Sequence, residues 1–443
     1  RAKEDALGRP FPALPAMSLQ SEGAAARPGR ESNLETQWVE VSDELRFCWH
    51  RPPLEEVERQ YGDPGTVRIF LNGCFDLMHV GHFNALRQAK SLFSRKGYGR
   101  VILIAGIHSD AAIAKQKGAP LMSDEERLAV LRSTKWVDEL ATDLPYVSMS
   151  AKMADALRVH FICHGDDLPV CRSGDGMYSD AIQEGRFQVL KRTEGISTTQ
   201  ILDRLLRREQ ATGRGSCGAA AADPSTADGV DRGAAASVGA LEATPATVWR
   251  LTQFAAPSDP RQPPRPLDAA QRVVYVVGAF DLLHPGHVEF LERAAGLGDY
   301  LLVGLYSDET LHRYRGFAPV LTLPERAMAV LSLRHVDDVV LGAPWLVGRE
   351  LLTAFNICTV AVGRRPGSQD EEERDGGGQG REERFSVPLG MGILAEVRSS
   401  CPLTAAALAA RCLGRGAELA ERNRGLLAKE LAYIGEKGFV PEA

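Results

Sequence analysis

"LNGCFDLMHVGHFNAL" (71–86) and "VVGAFDLLHPGHVEFL" (276–291) contain one pattern twice, Gly-x-Phe-Asp-x-x-His-x-Gly-His. In each stretch the pattern follows a short β-rich run and precedes apolar residues at helical spacing. The matching positions lie 205 residues apart, and the similarity continues downstream, where "GIHSDAAIAKQKGAP" (106–120) is answered by "GLYSDETLHRYRGFAP" (304–319). Repetition over this distance predicts two copies of one domain.

The order of elements within each copy predicts the fold class. Apolar runs such as "RVILIAGI" (100–107) and "YLLVGLY" (300–306) are typical of buried parallel strands, and helical segments alternate with them. This alternation predicts an α/β protein with two tandem Rossmann-like domains whose sheets are parallel. The predicted divisions are a poorly defined N-terminal extension (1–62), a catalytic domain (63–208), a flexible Ala/Gly-rich linker (209–246) and a second domain (247–443) with a disordered loop (363–386) and a C-terminal helical tail.

The composition favours small ligands over large charged partners. With 443 residues, a formal net charge of -6 and 44% hydrophobic residues, the chain has room for two domains and no basic excess for nucleic acid. The eight cysteines form no CxxC pair, which argues against a zinc ribbon and for a reducing compartment. No apolar run approaches the roughly 18 residues of a transmembrane helix, and the opening residues lack the order of a signal peptide. We therefore expect a cytoplasmic protein without a transmembrane segment.

The repeated pattern indicates phosphate chemistry. His79, Gly81 and His82 fall at the start of a predicted helix, where backbone N–H groups and the helix dipole favour a phosphate. No Cys or Asp/His set offers a nucleophile, so we expect catalysis by positioning: a substrate phosphate attacks the α-phosphorus of a nucleotide and pyrophosphate leaves. Mg²⁺ is expected as the cofactor, carried by the nucleotide phosphates, and no metal-ligating residues are predicted in the chain itself.

A second motif connects the chain with a known family. "KRTEGISTTQIL" (191–202) resembles the RTxGxSTT signature of the cytidylyltransferases of phospholipid synthesis. The tandem layout, together with "FICHGDD" (161–167), is similar to the ethanolamine-phosphate cytidylyltransferase family over about residues 66–208 and 247–435. The resemblance implies transfer of the cytidylyl group of CTP to phosphoethanolamine, which gives CDP-ethanolamine and pyrophosphate for phosphatidylethanolamine synthesis. It also implies loose association with the endoplasmic reticulum membrane.

The same resemblance implies roles for individual residues. The residues implied in catalysis are His79, His82, Lys117 and Arg192. Those implied in CTP binding are Gly73, Phe75, Asp76, Gly81, Arg127, His164, Gly165, Asp166, Thr193, Gly195, Ser197, Thr198 and Thr199. Those implied at the substrate amine are Asp166, Asp167, Tyr146 and Tyr178, the tyrosines as aromatic faces for a cation. Asn72 stands where the family leads us to expect Asp.

The second copy keeps only part of this set. It retains Phe280, Asp281, His284, His287 and Arg326, has Arg315 in place of Lys117, and has Val362 in place of His164. "RSSCPLTAAAL" (398–408) replaces the signature, so that Thr404 alone remains of its Thr residues. We therefore expect the first domain to catalyse. The second domain is predicted to be catalytically impaired and to pack on or regulate the first, as a pseudo-dimer within one chain; a homodimer is the other arrangement open.

Two other functions stay open on the sequence alone. A choline-phosphate cytidylyltransferase differs by three methyl groups on the amine, which would require an aromatic cage instead of hydrogen-bond acceptors. The absence of a long Lys-rich amphipathic helix after the first domain favours ethanolamine. A non-catalytic nucleotide-binding regulatory protein would be favoured if both copies had lost key residues, but only the second copy has.

Overall fold

The computed structural model describes residues 34–43, 45–146, 149–166, 176–213, 245–259, 262–263, 265–268, 270–364, 381–425 and 442. Among these residues, no helix combines the length and the apolar character needed to cross a membrane. The predicted linker (209–246) lies mostly outside this description, as do most of the predicted disordered loop (363–386) and of the C-terminal tail, and Asp167.

The first copy is built on a seven-stranded sheet. Its strands are β1 (Glu35–Ser42), β2 (Leu45–Arg51), β3 (Thr66–Gly73), β4 (Arg100–His108), β5 (Glu139–Leu144), β6 (Phe161–Gly165) and β7 (Phe187–Leu190). Their order in the sheet is β1-β2-β5-β4-β3-β6-β7. The central strands pair in parallel, whereas β1 and β2 join one edge in antiparallel pairs. The helices are α1 (Leu54–Gly62), α2 (Val80–Arg95), α3 (Asp110–Lys117), α4 (Asp124–Arg132), α5 (Ala151–Ala156), α6 (Ser179–Gln183) and α7 (Thr198–Gly213).

The predicted N-terminal extension (1–62) differs from what the structure shows. β1, β2 and α1 all lie within it, and β2 pairs with β5 of the main sheet. Trp49 of β2 donates a 3.0 Å hydrogen bond to the buried Glu139, which also binds Arg68 through two short contacts. The first domain therefore begins well before residue 63, and sequence periodicity missed this because the added strands are antiparallel and mix polar and apolar residues.

The second copy is smaller and its sheet is wholly parallel. After α8 (Pro245–Ala255) it contains β8 (Val273–Gly278), β9 (Tyr300–Leu305), β10 (Asp338–Leu341), β11 (Ile357–Arg364) and β12 (Leu394–Arg398). Their order is β10-β9-β8-β11-β12. The helices are α9 (Pro285–Ala295), α10 (Asp308–Arg315), α11 (Leu323–Leu331), α12 (Arg349–Ala354), α13 (Arg381–Arg384), α14 (Ser386–Gly390) and α15 (Ala405–Gly414), and a further C-terminal helix spans 416–425. The prediction of two tandem α/β domains with parallel sheets is confirmed.

The two copies pack with approximate twofold symmetry. Thr134 forms an isolated antiparallel bridge with Leu333, the residue at the same place in the other copy. On either side of this bridge, Lys135 N donates to Ser332 O at 2.9 Å and Arg334 N donates to Ser133 O at 2.9 Å. One apolar cluster runs through both copies, and it includes Trp136 from the first and Leu331 from the second. Because a core that spans both copies cannot be separated without exposing apolar surface, they form one folding unit.

Candidate active site

A strained loop leads into the repeated motif in both copies. Phe75 (φ 53°) and Leu77 (φ 46°) adopt left-handed backbone conformations between β3 and α2, and Phe280 (φ 50°) and Leu282 (φ 46°) do the same in the second copy. Such conformations cost about 1–3 kcal/mol each for bulky residues. They persist because all four side chains are buried. The loop turns sharply enough to place the first histidine of each motif at the start of a helix.

His79 caps the N-terminus of α2. Its Nδ1 accepts a hydrogen bond from Gly81 N at 3.1 Å, which leaves the proton on Nε2. A Cβ at Gly81 would lie 2.9 Å from Cε1 of His79, so glycine is required for this close approach. Burial, followed by the proximity of His82, lowers the pKa of His79 well below its usual value. The ring is therefore a neutral N–H donor at neutral pH.

His82 lies beside His79, with ring centroids 4.1 Å apart. Burial and the nearby cations of Lys117 and Arg192 lower the pKa of His82 to about 4. Among the residues that the structure describes, the buried Nδ1 of His82 has no hydrogen-bond partner. The structure thus brings the four residues implied in catalysis to one place, with two neutral imidazoles facing two cations.

The signature motif supplies a second helix N-terminus at the same place. Ser197 Oγ accepts from Gln200 N at 3.1 Å and so caps the start of α7. Thr198 Oγ1 donates to Asp76 O at 3.1 Å and lies 3.5 Å from Nε2 of His79. Gly195 has a φ of 80° with open space around its Cβ position. The N-termini of α2 and α7 converge through Thr198, as expected for a site that binds several phosphates.

Asp76 and Arg127, both implied in CTP binding, are held by contacts with the protein itself. The carboxylate of Asp76 is buried and accepts from Leu121 N at 2.8 Å and from Met122 N at 3.0 Å. The fully buried guanidinium of Arg127 donates to Cys74 O and, at 3.0 Å, to His108 O, and it pairs with Asp110 and Asp124. Both side chains are occupied by the protein itself. They support the loops around the site, and their implied roles in CTP binding stay predictions.

The carboxyl ends of β3 and β4 carry a polar relay that sequence reasoning missed. His108 Nδ1 lies 3.1 Å from Pro145 O, and its Nε2 lies 3.1 Å from Nδ2 of Asn72. Tyr178 OH donates to Oδ1 of Asn72 at 3.0 Å. Burial is the main cause that lowers the pKa of His108 to about 4, so the relay is neutral. The one signal in the sequence was the position of His108 at the end of a strand beside β3.

The residues implied in amine binding gather around this relay. The ring of Tyr146 lies 4.7 Å from His108, and the ring of Tyr178 lies 5.0 Å from His164. Gly165 ends β6 at the same edge, and Asp166 Oδ1 accepts from Arg192 N at 3.1 Å. Thr193 and Thr199 are both buried. Thr193 Oγ1 accepts from Asn84 Nδ2 at 3.0 Å, so this hydroxyl faces α2.

In the second copy the space equivalent to the relay is filled. Tyr306 takes the place of His108, and Val277 that of Asn72. Arg384 takes the place of Met177, because the two residues accept matching backbone hydrogen bonds. Val347 N donates to Arg384 O at 3.0 Å, and Met149 N donates to Met177 O at 2.8 Å. The buried guanidinium of Arg384 lies 4.1 Å from the ring of Trp345 and donates to Tyr306 OH at 2.8 Å. We call Tyr306, Trp345 and Arg384 the cation–aromatic plug.

The signature loop of the second copy is also occupied by the protein. The carboxylate of Glu289 accepts from the hydroxyls of Ser399 and Ser400, both at 2.7 Å, and from Ser400 N and Cys401 N at 3.0 Å. Burial opposes ionisation, but these hydrogen bonds prevail and lower the pKa of Glu289 to about 2. His284 and His287 keep the geometry of the first copy, with rings 3.8 Å apart. The histidines survive, and the loop that replaces the signature is held to α9 by Glu289, which stands at the place of Asn84 in the first copy.

Comparison with known proteins identifies the class. A cytidylyltransferase-like family model matches residues 70–204 and 275–384, one segment in each copy. The chain is 36% identical over 384 residues to an ethanolamine-phosphate cytidylyltransferase of Arabidopsis thaliana, covering 84% of this chain and 86% of that protein. The corresponding protein of Dictyostelium discoideum is 34% identical, with 83% and 96% covered, and that of Mus musculus is 33% identical, with 84% and 92% covered. The chain belongs to the ethanolamine-phosphate cytidylyltransferase family.

A choline-phosphate relative matches a smaller part of the chain. Choline-phosphate cytidylyltransferase A of Homo sapiens is 34% identical over 171 residues, which is 38% of this chain and 45% of that protein. The similarity to the ethanolamine-phosphate relatives extends over both copies, because it covers more than four fifths of the chain. The family resemblance inferred from "KRTEGISTTQIL" (191–202) is confirmed.

Proposed function

We propose that this chain transfers the cytidylyl group of CTP to phosphoethanolamine, giving CDP-ethanolamine and pyrophosphate for phosphatidylethanolamine synthesis. The observation that carries the proposal is the convergence of two helix N-termini, α2 and α7, at a neutral histidine pair that faces Lys117 and Arg192. Backbone N–H groups, imidazole N–H groups and two cations suit a triphosphate whose charge shifts during reaction.

The reaction needs no protein nucleophile. An oxygen of the phosphoethanolamine phosphate attacks the α-phosphorus of CTP, a new P–O bond forms, and the bond to the bridging oxygen of the β-phosphate breaks. Pyrophosphate leaves with the electron pair of that bond. Nε2–H of His79, with its tautomer held by Gly81 N, is a donor for the developing negative charge. Lys117 and Arg192 supply the opposing positive charge.

We propose that Mg²⁺ enters with the nucleotide. The described part of the chain contains no group of three His, Cys, Asp or Glu that could hold a metal ion. The charged side chains that lower the pKa of His82 are the cations of Lys117 and Arg192. Mg²⁺ bound to the triphosphate would neutralise part of its charge. The side chains present fit a metal that is brought by CTP, and the chain's own residues would contact the phosphates.

The polar relay is suited to a primary ammonium. The hydroxyl of Tyr178 donates its proton to Oδ1 of Asn72, and a phenolic oxygen is also of the kind that accepts from an N–H group. Tyr146 offers an aromatic face, over which the ammonium of Lys117 already lies 5.4 Å from the centroid. A quaternary ammonium would gain from the aromatic face alone. The relay therefore favours phosphoethanolamine over phosphocholine.

The test is pyrophosphate release by the purified chain with CTP and Mg²⁺, with phosphoethanolamine and phosphocholine compared at equal concentration. We expect kcat/KM to favour phosphoethanolamine by at least about tenfold, the size of one hydrogen bond to a charged group. Equal or higher kcat/KM for phosphocholine would overturn the substrate assignment while keeping the reaction. Release with neither acceptor would overturn the reaction itself.

We also propose an oligomeric state and a membrane association for the enzyme. The approximate twofold contact around Thr134 and Leu333 lies within one chain, and this supports a pseudo-dimer that needs no second chain. Light scattering during gel filtration would give the mass of one chain, and a mass of two chains would favour the homodimer.

Loose association with the endoplasmic reticulum membrane is proposed from the family. Co-sedimentation with vesicles of phosphatidylcholine and phosphatidylethanolamine tests it, and an unbound protein would contradict it.

A further inference from the structure

The C-terminal helix of the second copy, residues 416–425, lies against the site of the first copy. Arg422 Nη1 donates to Lys117 O at 2.7 Å, and it would lie 3.1 Å from a Cβ at Gly118. Its neighbour Asn423 is buried and donates from Nδ2 to Thr199 O at 2.8 Å. Two adjacent residues of one helix thus hold the segment that carries Lys117 and the segment that begins α7.

The loop from Lys117 to Met122 is held from two sides. From inside the first copy, the carboxylate of Asp76 accepts the N–H groups of Leu121 and Met122. From the second copy, Arg415 donates to Pro120 O at 3.1 Å and Arg422 donates to Lys117 O. The donors and acceptors of the loop are therefore satisfied by different copies. Removing the contacts from the second copy would leave carbonyl groups of this loop without these partners.

Part of this arrangement obeys the approximate twofold symmetry. Arg411 of α15 pairs with Glu126 at 2.7 Å, and Arg204 of α7 pairs with Glu325 at 2.8 Å. These residues occupy matching places in the two copies, so each pair is the counterpart of the other. The match continues to Arg208, which donates to Ala318 O much as Arg415 donates to Pro120 O, and it ends beyond that pair. At the spacing that relates Arg411 to Arg204, the positions matching Arg422 and Asn423 hold Gly215 and Ser216, which lack those side chains.

We infer that Arg422 and Asn423 are positioning residues for cytidylyl transfer in the first copy, and that the second copy is retained because it supplies them. The inference rests on the proposed function of Lys117 at the α-phosphate. Arg422 acts on the backbone carbonyl of Lys117, so it sets where α3 ends and where the lysine side chain begins. Asn423 acts in the same way at the start of α7. Errors of about 1 Å in such placement can cost on the order of 100-fold in rate.

The C-terminal end of the chain adds a third contact with the first copy. Glu442 Oε1 accepts from Asn84 Nδ2 at 3.0 Å, and it lies 3.3 Å from a guanidinium nitrogen of Arg87. The same amide nitrogen of Asn84 contacts Thr193 of the signature motif at 3.0 Å. Contacts with segments of the first copy that carry site residues therefore come from two separate places that follow β12.

The first experiment measures kinetics of the full-length chain. Arg422→Ala and Asn423→Ala are compared with Arg424→Ala, an exposed arginine on the same helix that provides the matched control. We expect kcat to fall roughly 10- to 100-fold in the first two variants, with KM for phosphoethanolamine changed by less than about threefold. Arg422→Lys should recover part of the loss, since a lysine can still donate to Lys117 O. If Arg422→Ala keeps the kcat of Arg424→Ala, the inference is wrong.

The second experiment separates positioning from general damage. If Arg422 acts through Lys117, adding Arg422→Ala to Lys117→Ala should lower kcat by no more than about twofold further, because coupled residues are not additive. Fully additive losses would contradict this route. Hydrogen exchange of residues 115–122, measured without substrate, should rise in Arg422→Ala and not in Arg424→Ala. Hydrogen exchange tests the loop contact even if the wild-type chain proves inactive with phosphoethanolamine. Such inactivity would count against the proposed function and not against the loop contact.

Discussion

The two copies share a backbone and differ in what fills their sites. Both begin with the same strained loop, cap a helix with the first histidine, and stack a second histidine beside it. In the first copy the surrounding positions carry a neutral relay and a signature segment with hydroxyl groups. In the second copy the same positions hold the cation–aromatic plug and a loop closed on Glu289. The histidine motif is therefore a feature of the fold in both copies, whereas the groups around the motif decide whether substrates can enter.

Removal of one histidine from each copy should give the largest difference. We expect His82→Ala to lower kcat about 100- to 1000-fold, because it removes a buried donor at the phosphate site. His287→Ala should lower kcat by less than about fivefold, since the second copy has lost the signature threonines and holds the cation–aromatic plug where the first copy has its relay. Pyrophosphate release under saturating CTP measures both, and circular dichroism checks that each variant is folded. Equal losses would show that both sites take part in turnover.

The cation–aromatic plug should affect the free energy of unfolding and not the rate of cytidylyl transfer. Arg384→Ala removes a buried guanidinium that contacts Trp345 and Tyr306, and we expect the free energy of unfolding to fall by about 2–3 kcal/mol. Arg384→Met copies Met177 of the first copy and should cost less, because it restores buried volume. Urea denaturation gives both values. A neutral Arg384→Ala would mean that the plug contributes nothing to folding of the second copy.

The carboxylate in the second signature loop should show a smaller effect. We expect Glu289→Gln to lower the free energy of unfolding by about 1–2 kcal/mol, since four hydrogen bonds to a charged acceptor are weakened. Glu292→Gln is the control, because that side chain is exposed on the same helix. A folded-state pKa near 2, below the usual carboxyl value, means that this stability is present above about pH 4.5 and is lost as the pH falls toward 2. Matching unfolding curves for the two variants would argue against it.

The histidines of the first copy predict a modest dependence of stability on pH. His82 has a folded-state pKa of about 4 and an ordinary value of 6.5, so the unfolded chain binds more protons between these limits. The free energy of unfolding should therefore fall as the pH is lowered from about 6.5 toward 4. The double variant His79→Asn, His82→Asn should show a flatter slope in thermal unfolding across that range. An unchanged slope would show that the pair titrates normally.

Much of the fold could be predicted because the repeated pattern carries its own spacing. The alternation of apolar strands and helices around residues 71–86 and 276–291 indicated two parallel α/β domains, and the structure confirms them. The hairpin of β1 and β2 was missed, since its polarity is mixed and β5, the partner of β2, lies about 90 residues away. Local patterns report on local structure, and a long-range antiparallel pairing leaves little trace in them.

The residues of the active site could largely be predicted from the sequence, but the role of each residue was harder to predict. His79, His82, Lys117 and Arg192 were named from motifs, and the structure places them together. Asp76 and Arg127 were named with them, yet they bind backbone groups of the protein. Fixed spacing is required equally for a ligand contact and for holding a loop, so sequence alone could not separate the two.

The duplicated scaffold and the family are encoded in short stretches of sequence, because strand and helix periodicity and the signature motif depend on neighbouring residues. The different roles of the two copies are visible only in the folded chain. The relay through His108, the plug around Arg384 and the contact of Arg422 with Lys117 join residues that lie tens to hundreds of positions apart. Such contacts arise from packing, and packing depends on the whole chain having folded.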